Sequence, residues 1–194
     1  MDFSNVQWLD LVNRSLAMIS SSMLSKLDEG TSESNYAAVL LPQAVEEVYG
    51  SLPLDDISIY SQLPRLADNR QVGSGYQYAY KLPASCASVR EVITDGTYDE
   101  WQLVKGAILT NSSEVTVRYI PLPSTPDDIP FYARDLISLL LASRLAGSIS
   151  HNEALANIMA GRYDTLYSKA LTLSGQKQNQ PDYANTSRWT EDRQ

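Results

Sequence analysis

Five predicted strands follow one another between residues 76 and 120, and the short connections between them constrain the fold more than any other feature. Turn dipeptides such as Asp95-Gly96 and Lys105-Gly106 separate segments rich in β-branched and aromatic residues. Parallel strands need crossover connections of about a dozen residues or more, so strands joined this closely are predicted to be antiparallel. The predicted strands cover residues 76–82, 88–94, 100–104, 107–110 and 114–120.

The first of these strands carries an aromatic face. Tyr76, Tyr78 and Tyr80 are two residues apart, so an extended chain places the three rings on the same side. Such rings can stack on nucleic-acid bases, but the interleaved residues Gln77 and Ala79 do not form a basic groove. Packing within the sheet is the simpler interpretation.

Two helices are predicted before the strands. Apolar residues recur at helical spacing over residues 6–18, and a second helix is expected to begin within residues 31–34 and to end near Gly50. Pro42 lies inside the second segment and predicts a kink or an early end there. Residues 51–70 have no clear periodicity and are interpreted as a packed loop with one helical turn.

Two more helices are predicted after the strands. Apolar residues occur on almost every side between residues 131 and 146, which predicts a central helix buried on most faces. Ser150 and Glu153 match a capping box at the start of a final helix over about residues 152–173. The predicted fold class is α+β: a helical bundle with a small antiparallel β-sheet inserted at about residues 73–121.

The sequence is predicted to divide into a body of residues 1–174 and an extended C-terminal arm of residues 175–194. The arm is rich in amide and charged residues, so it cannot bury enough apolar surface to fold alone. It nevertheless contains Tyr183, Arg188 and Trp189, and these three residue types dominate the energetics of binding interfaces. A frayed terminus and a binding segment both fit this composition.

The net charge of −8 lies mostly in residues 1–60, which contain nine acidic and two basic side chains. A solvated acidic surface of this kind repels a phosphate backbone, which disfavours a nucleic-acid-binding module. The longest mainly apolar run, residues 137–142, is far shorter than the about 20 residues of a membrane span. The first residues lack the pattern of a signal peptide, and no membrane partner is expected.

No residues have the spacing of a catalytic or metal-binding motif. Cys86 and His151 are the only residues of their types, so the sequence offers neither a Cys/His metal cluster nor an intrachain disulfide. Adjacent carboxylates, such as Asp127 and Asp128, do not share a helix face and are more simply explained as turns or caps. We therefore expect no enzymatic activity and no bound cofactor.

An ordered set of sequence phrases resembles a known family. The phrases cover residues 8–19, 27–31, 75–92, 117–120 and 130–146, and the most specific begins GYQYAYKLP at Gly75. Together they resemble the head-to-tail adaptor family of short-tailed bacteriophages, also called tail tubular protein A. Residues 52–66 depart from the family pattern, because Pro53, Asp55 and Asp56 stand where relatives often have a Trp followed by basic and apolar residues.

The resemblance implies a structural virion protein, made in the cytoplasm of the host bacterium, that forms a ring of identical subunits, expected to be a dodecamer. The ring would lie between the portal protein and the tail nozzle protein and extend the channel, through which DNA passes without specific binding. The arm would bind the portal through Tyr183, Arg188 and Trp189. The aromatic face would contact the nozzle or a neighbouring subunit.

An enzyme that cleaves peptidoglycan is the alternative function, since tail proteins sometimes carry such an activity. Glycan cleavage requires two carboxylates that face each other across a cleft, one of them with a raised pKa. The sequence identifies no such pair.

Overall fold

The computed structural model describes residues 6–67, 75–95 and 100–178. Within these ranges the chain has four α-helices and two three-stranded antiparallel sheets, so the α+β class is confirmed. The helices are α1 (Val6–Met18), α2 (Ser32–Ser51), α3 (Phe131–Ile149) and α4 (Glu153–Gln178). The strands are β1 (Ile59–Gln62), β2 (Tyr78–Lys81), β3 (Cys86–Thr94), β4 (Trp101–Val104), β5 (Ala107–Thr110) and β6 (Val115–Pro121).

Helix α3 lies at the centre of the bundle and packs against α1, α2 and α4, as predicted. Its fully buried side chains include Leu136, Ile137, Leu141 and Leu145. Phe131 lies within the same predicted helix, but its side chain is 79% exposed. It is the first residue of α3 and lies on the solvent side of the first turn, whereas Ala133 in that turn is fully buried.

Of the two outcomes predicted at Pro42, a kink or an early end, the early end is excluded, because α2 continues through Pro42 to Ser51, next to the predicted end at Gly50. The expected capping box at Ser150 is absent: Asn152 Oδ1 instead accepts a hydrogen bond of 3.0 Å from the backbone N–H of Leu155. His151 adopts a left-handed backbone conformation with φ of 47°, which separates the end of α3 from the start of α4.

The β region forms two sheets where one was expected. The first sheet has the order β1-β6-β3, and the second has the order β2-β5-β4. Strand β1 lies within the segment interpreted as a loop, and it pairs with β6, where Ile59 is opposite Tyr119. Burial alternates over most of β6, where Val115, Val117 and Tyr119 are buried and Thr116 and Arg118 are partly exposed.

A two-residue turn connects β4 and β5, as predicted. Lys105 and Gly106 have φ angles of 48° and 75°, and positive values at both central residues define the type I′ turn that suits the twist of a hairpin. Val104 is paired with Ala107 and Leu103 with Ile108. In a hairpin of this length, the backbone N–H and C=O of Leu103 therefore point away from β5.

A cluster of charged side chains joins the first sheet to the helical bundle. The Asp55 carboxylate lies 3.7 Å from Arg90 Nε and 3.7 Å from Arg118 Nη2. Arg90 also donates a hydrogen bond of 2.6 Å to the carbonyl oxygen of Leu52, which follows α2. Arg118 lies 3.6 Å from Glu91 as well. These contacts fix β3 and β6 against the end of α2.

Replacing a central core side chain should destabilise the protein strongly. We expect Leu141→Ala to lower the free energy of unfolding by about 2–5 kcal/mol, because a fully buried leucine is removed and a cavity is left. Urea unfolding followed by circular dichroism measures this change. Phe131→Ala, on the same helix but exposed, should change stability by less than about 0.5 kcal/mol. Similar losses for both variants would contradict the orientation of α3.

Removing the Asp55 carboxylate should weaken the attachment of the first sheet to the helical bundle. We expect Asp55→Ala to cost about 1–2 kcal/mol of stability, because two arginines lose their shared anion while solvent screens part of the effect. Asp28→Ala removes an exposed partner of Lys26 and should have no measurable effect. Thermal unfolding of the two variants side by side provides the test. Equal melting temperatures would show that the contacts of Asp55 with Arg90 and Arg118 do not stabilise the protein.

Candidate interaction surfaces

The structure divides the predicted aromatic face. Strand β2 begins at Tyr78, so Tyr76 precedes it. The Tyr80 side chain is 2% exposed, and its hydroxyl shares its one proton between the carbonyl oxygens of Ser112, at 2.9 Å, and Ser113, at 2.6 Å. Burial raises the pKa of the Tyr80 phenol. Tyr80 therefore belongs to the core of the β region and lacks the exposed surface that the expected contact with a nozzle or neighbour requires.

The other two tyrosines are accessible in part. The guanidinium carbon of Arg65 lies 3.9 Å from the centre of the Tyr78 ring, a cation–π geometry that holds this ring against the chain. Tyr76 is half-buried at the start of the segment. The predicted contact surface is thus reduced to Tyr76 and Tyr78.

The predicted arm anchors Tyr183, Arg188 and Trp189 lie outside the described residues. Helix α4 runs to Gln178, so the first residues assigned to the arm continue the helix. Tyr163 and Tyr167 stack on α4 with ring centres 5.8 Å apart, and the Tyr167 hydroxyl donates a hydrogen bond of 3.0 Å to the Ser51 carbonyl oxygen. This contact fixes α4 against the end of α2.

Strands at the edges of the sheets expose apolar side chains. Strand β1 is at the edge of the first sheet and presents Ile59 and Tyr60, the latter 61% exposed. Strand β4 is at the edge of the second sheet and presents Trp101 and Leu103. Exposed apolar edges with unpaired backbone groups favour pairing with another chain.

A shallow, open groove of about 460 Å³ lies along α4, and Leu139 of α3 also lines it. Leu139 of α3 and Ile158 of α4 give it an apolar lining, and Gly161 leaves room for an approaching group. Arg162 and Lys169 also line it. Within the described ranges, neither of these basic side chains forms an ion pair. We refer to this surface as the α3–α4 groove.

Helix α2 has an exposed side that combines apolar and acidic character. Tyr36, Val39, Gln43 and Glu46 are spaced three or four residues apart, so they lie on one side of the helix. All four are exposed, and Val39 is 60% exposed. We refer to this surface as the α2 outer face.

The sequence interpretation missed both helical surfaces. Ile158 lies within the predicted final helix, and its side chain is 52% exposed. Val39 lies on α2 but is not among the buried residues of that helix. An aliphatic residue outside the buried stripe, such as Val39, or a glycine inside a helix, such as Gly161, is the signal that could have indicated these surfaces.

A polar cleft between α1 and α3 contains the arrangement closest to an enzymatic site. Asp10 and Asp127 both line it, together with Arg14 and Arg134. The Asp127 carboxylate is exposed and lies 3.7 Å from Arg134 Nη2, and Arg14 pairs with Asp135 at 2.7 Å. A general acid in glycan cleavage needs an environment that keeps its carboxyl group protonated. Here Asp10 and Asp127 are both exposed to solvent, and Asp127 is paired with Arg134.

Other reactive groups occupy simple structural positions. Burial raises the pKa of the Cys86 thiol, which lowers its reactivity. Among the residues that the structure describes, no group of three or more His, Cys, Asp or Glu side chains is arranged to hold a metal ion. Over the same ranges, the helices are too short or too polar to span a membrane.

Comparisons with protein-family models and with curated proteins give no match. Function is therefore inferred from the resemblance of the ordered phrases and from the exposed surfaces of the chain.

Removing the buried phenol hydroxyl should destabilise the β region. We expect Tyr80→Phe to lower the free energy of unfolding by about 1–2 kcal/mol, because two carbonyl oxygens lose their donor. Tyr78→Phe keeps the ring beneath Arg65 and should change stability much less. Chemical unfolding monitored by circular dichroism compares the two. A larger loss for Tyr78→Phe would contradict the assignment of Tyr80 to the core.

Proposed function

We propose that this chain is a head-to-tail adaptor of a short-tailed bacteriophage, a structural virion protein that forms a ring between the portal and the tail nozzle. The ordered phrases between residues 8 and 146 that resemble this family support the proposal. The observation that carries the physical case is the presence of separate apolar surfaces on different elements: the β1 edge, the β4 edge, the α3–α4 groove and the α2 outer face. A ring subunit placed between two other proteins needs several distinct interfaces.

The proposed contacts divide among the parts of the chain. The arm binds the portal through Tyr183, Arg188 and Trp189, while Tyr76 and Tyr78 belong to the surface for the nozzle or a neighbouring subunit. A segment that orders only on its partner spends part of its interaction energy on ordering, which favours assembly at the portal over assembly in solution. The acidic residues of the front third keep DNA from adhering to the channel.

The enzymatic alternative has a direct test. Purified protein is incubated with peptidoglycan, and the release of soluble fragments is measured. Turnover that disappears on Asp127→Asn, with folding unchanged, would favour the enzyme over the adaptor. We expect no turnover, because the two carboxylates that line the polar cleft, those of Asp10 and Asp127, are both exposed to solvent.

Removing the arm should abolish portal binding while the body stays folded. A chain that ends after Gln178 retains the whole of α4 and every described core residue, so its melting temperature should match that of the full chain. Its binding to purified portal rings, measured by biolayer interferometry and by electron microscopy of the products, should be lost. Full binding by the truncated chain would contradict the assignment of the arm.

Point variants test whether the arm binds through specific anchor residues or through its overall composition. Trp189→Ala and Arg188→Ala should each weaken portal binding by about tenfold or more, as expected when an interface anchor is truncated. Gln180→Ala, in the same segment, is the matched control and should leave the affinity unchanged. If all three substitutions have the same effect, the arm binds by composition and contains no specific anchors.

A further inference from the structure

We propose that the α3–α4 groove binds the α2 outer face of a second copy of this chain, with the two helices α4 and α2 packed in parallel. This inference rests on the proposed ring and identifies the contact between its subunits. It commits to a second copy because the chain itself presents a surface whose shape and charge complement the groove.

Charge is the first argument. The chain is strongly acidic, yet Arg162 and Lys169 both line the groove without an ion-pair partner among the described residues. On α2, Glu46 is exposed and also forms no described ion pair, whereas the neighbouring Glu47 is paired with Arg144. A basic apolar groove and an acidic apolar helix face thus occur on the same molecule, and such surfaces attract each other.

Spacing along the helices sets the direction of packing. Val39 and Glu46 are seven residues apart, which corresponds to a rise of roughly 10 Å in a helix. Gly161 and Lys169 are eight residues apart, a rise of roughly 12 Å. Parallel packing with Val39 over Gly161 therefore brings Glu46 close to Lys169. Antiparallel packing would instead direct Glu46 towards Glu153 at the start of α4.

Gly161 supplies an independent indication of close approach. It lies inside α4, where glycine destabilises a helix relative to alanine. A Cβ atom added at this position would meet nothing within 4 Å, so packing within the chain does not require glycine there. The missing side chain leaves the α4 backbone accessible to a helix from another copy.

The two surfaces cannot meet within one chain. The Tyr167 hydroxyl contacts the Ser51 carbonyl oxygen, so this side of α4 faces α2 of the same molecule. Ile158, Gly161 and Thr165 are on the opposite side of α4. Contact between two different patches is heterologous, and repetition of a heterologous contact produces a ring when the rotation closes.

A charge exchange tests the pairing in the full-length protein. Glu46→Lys and Lys169→Glu should each weaken self-association by about tenfold, because each places like charges opposite one another. The double variant Glu46→Lys/Lys169→Glu restores opposite charges and should return to within about twofold of the wild type. Sedimentation velocity over a range of protein concentrations measures these constants. If the double variant lost as much self-association as the two single variants lose together, the pairing of Glu46 with Lys169 would be overturned.

Disulfide trapping tests the geometry even if the association is weak. In a Cys86→Ala background, Val39→Cys/Gly161→Cys should form a ladder of covalent oligomers under mild oxidation. Val39→Cys/Asp164→Cys is the matched control, because Asp164 is exposed on the same helix but does not line the groove. No ladder, or equal ladders for both pairs, would overturn the proposal.

Normal portal binding together with either of these results would show that this contact is wrong while the adaptor function stands. A ladder that forms only with Val39→Cys/Gly161→Cys, in a protein that does not bind the portal, would support the contact between subunits and contradict the adaptor function.

Discussion

Helix α3 contains apolar side chains that must be shielded from water on nearly every side, and the rest of the fold supplies that shield. Leu136, Ile137, Leu141 and Leu145 are all fully buried. Two neighbouring helices would leave part of such a helix exposed, so α1, α2 and α4 all pack against it. The helical part of the chain is therefore organised by one requirement, the removal of α3 from solvent.

The β region is connected to the core of the helical bundle at the end of β6. Ile120 and Ile129 belong to the hydrophobic cluster of the bundle, whereas Val117 and Tyr80 belong to a smaller cluster between the sheets. Two cores in one chain need a connection that resists relative motion. Asp55, with its arginines on β3 and β6, supplies a directional contact where apolar packing between the clusters is limited.

Sequence patterns correctly predicted the features of the fold that depend on residues close together in the chain. The bounds of α1 and β5 and the Lys105-Gly106 turn follow from local periodicity and turn preference, and all three were predicted correctly. Strand β1 was missed because its stability comes from pairing with residues about 60 positions away, as between Ile59 and Tyr119. Helix α2 continues through Pro42 because burial of the flanking residues outweighs the loss of one backbone hydrogen bond.

The candidate surfaces were harder to predict than the core. A buried stripe is a property of one helix, whereas the α3–α4 groove exists only because Leu139 comes next to residues that follow it by about 20 positions or more. The exposed edges β1 and β4 are each four residues long. Short edges limit uncontrolled pairing, so each contact is individually weak. Under the proposed function, stable assembly then requires several such contacts at once, and a closed ring on a portal template provides them because every subunit gains two neighbours and an anchor.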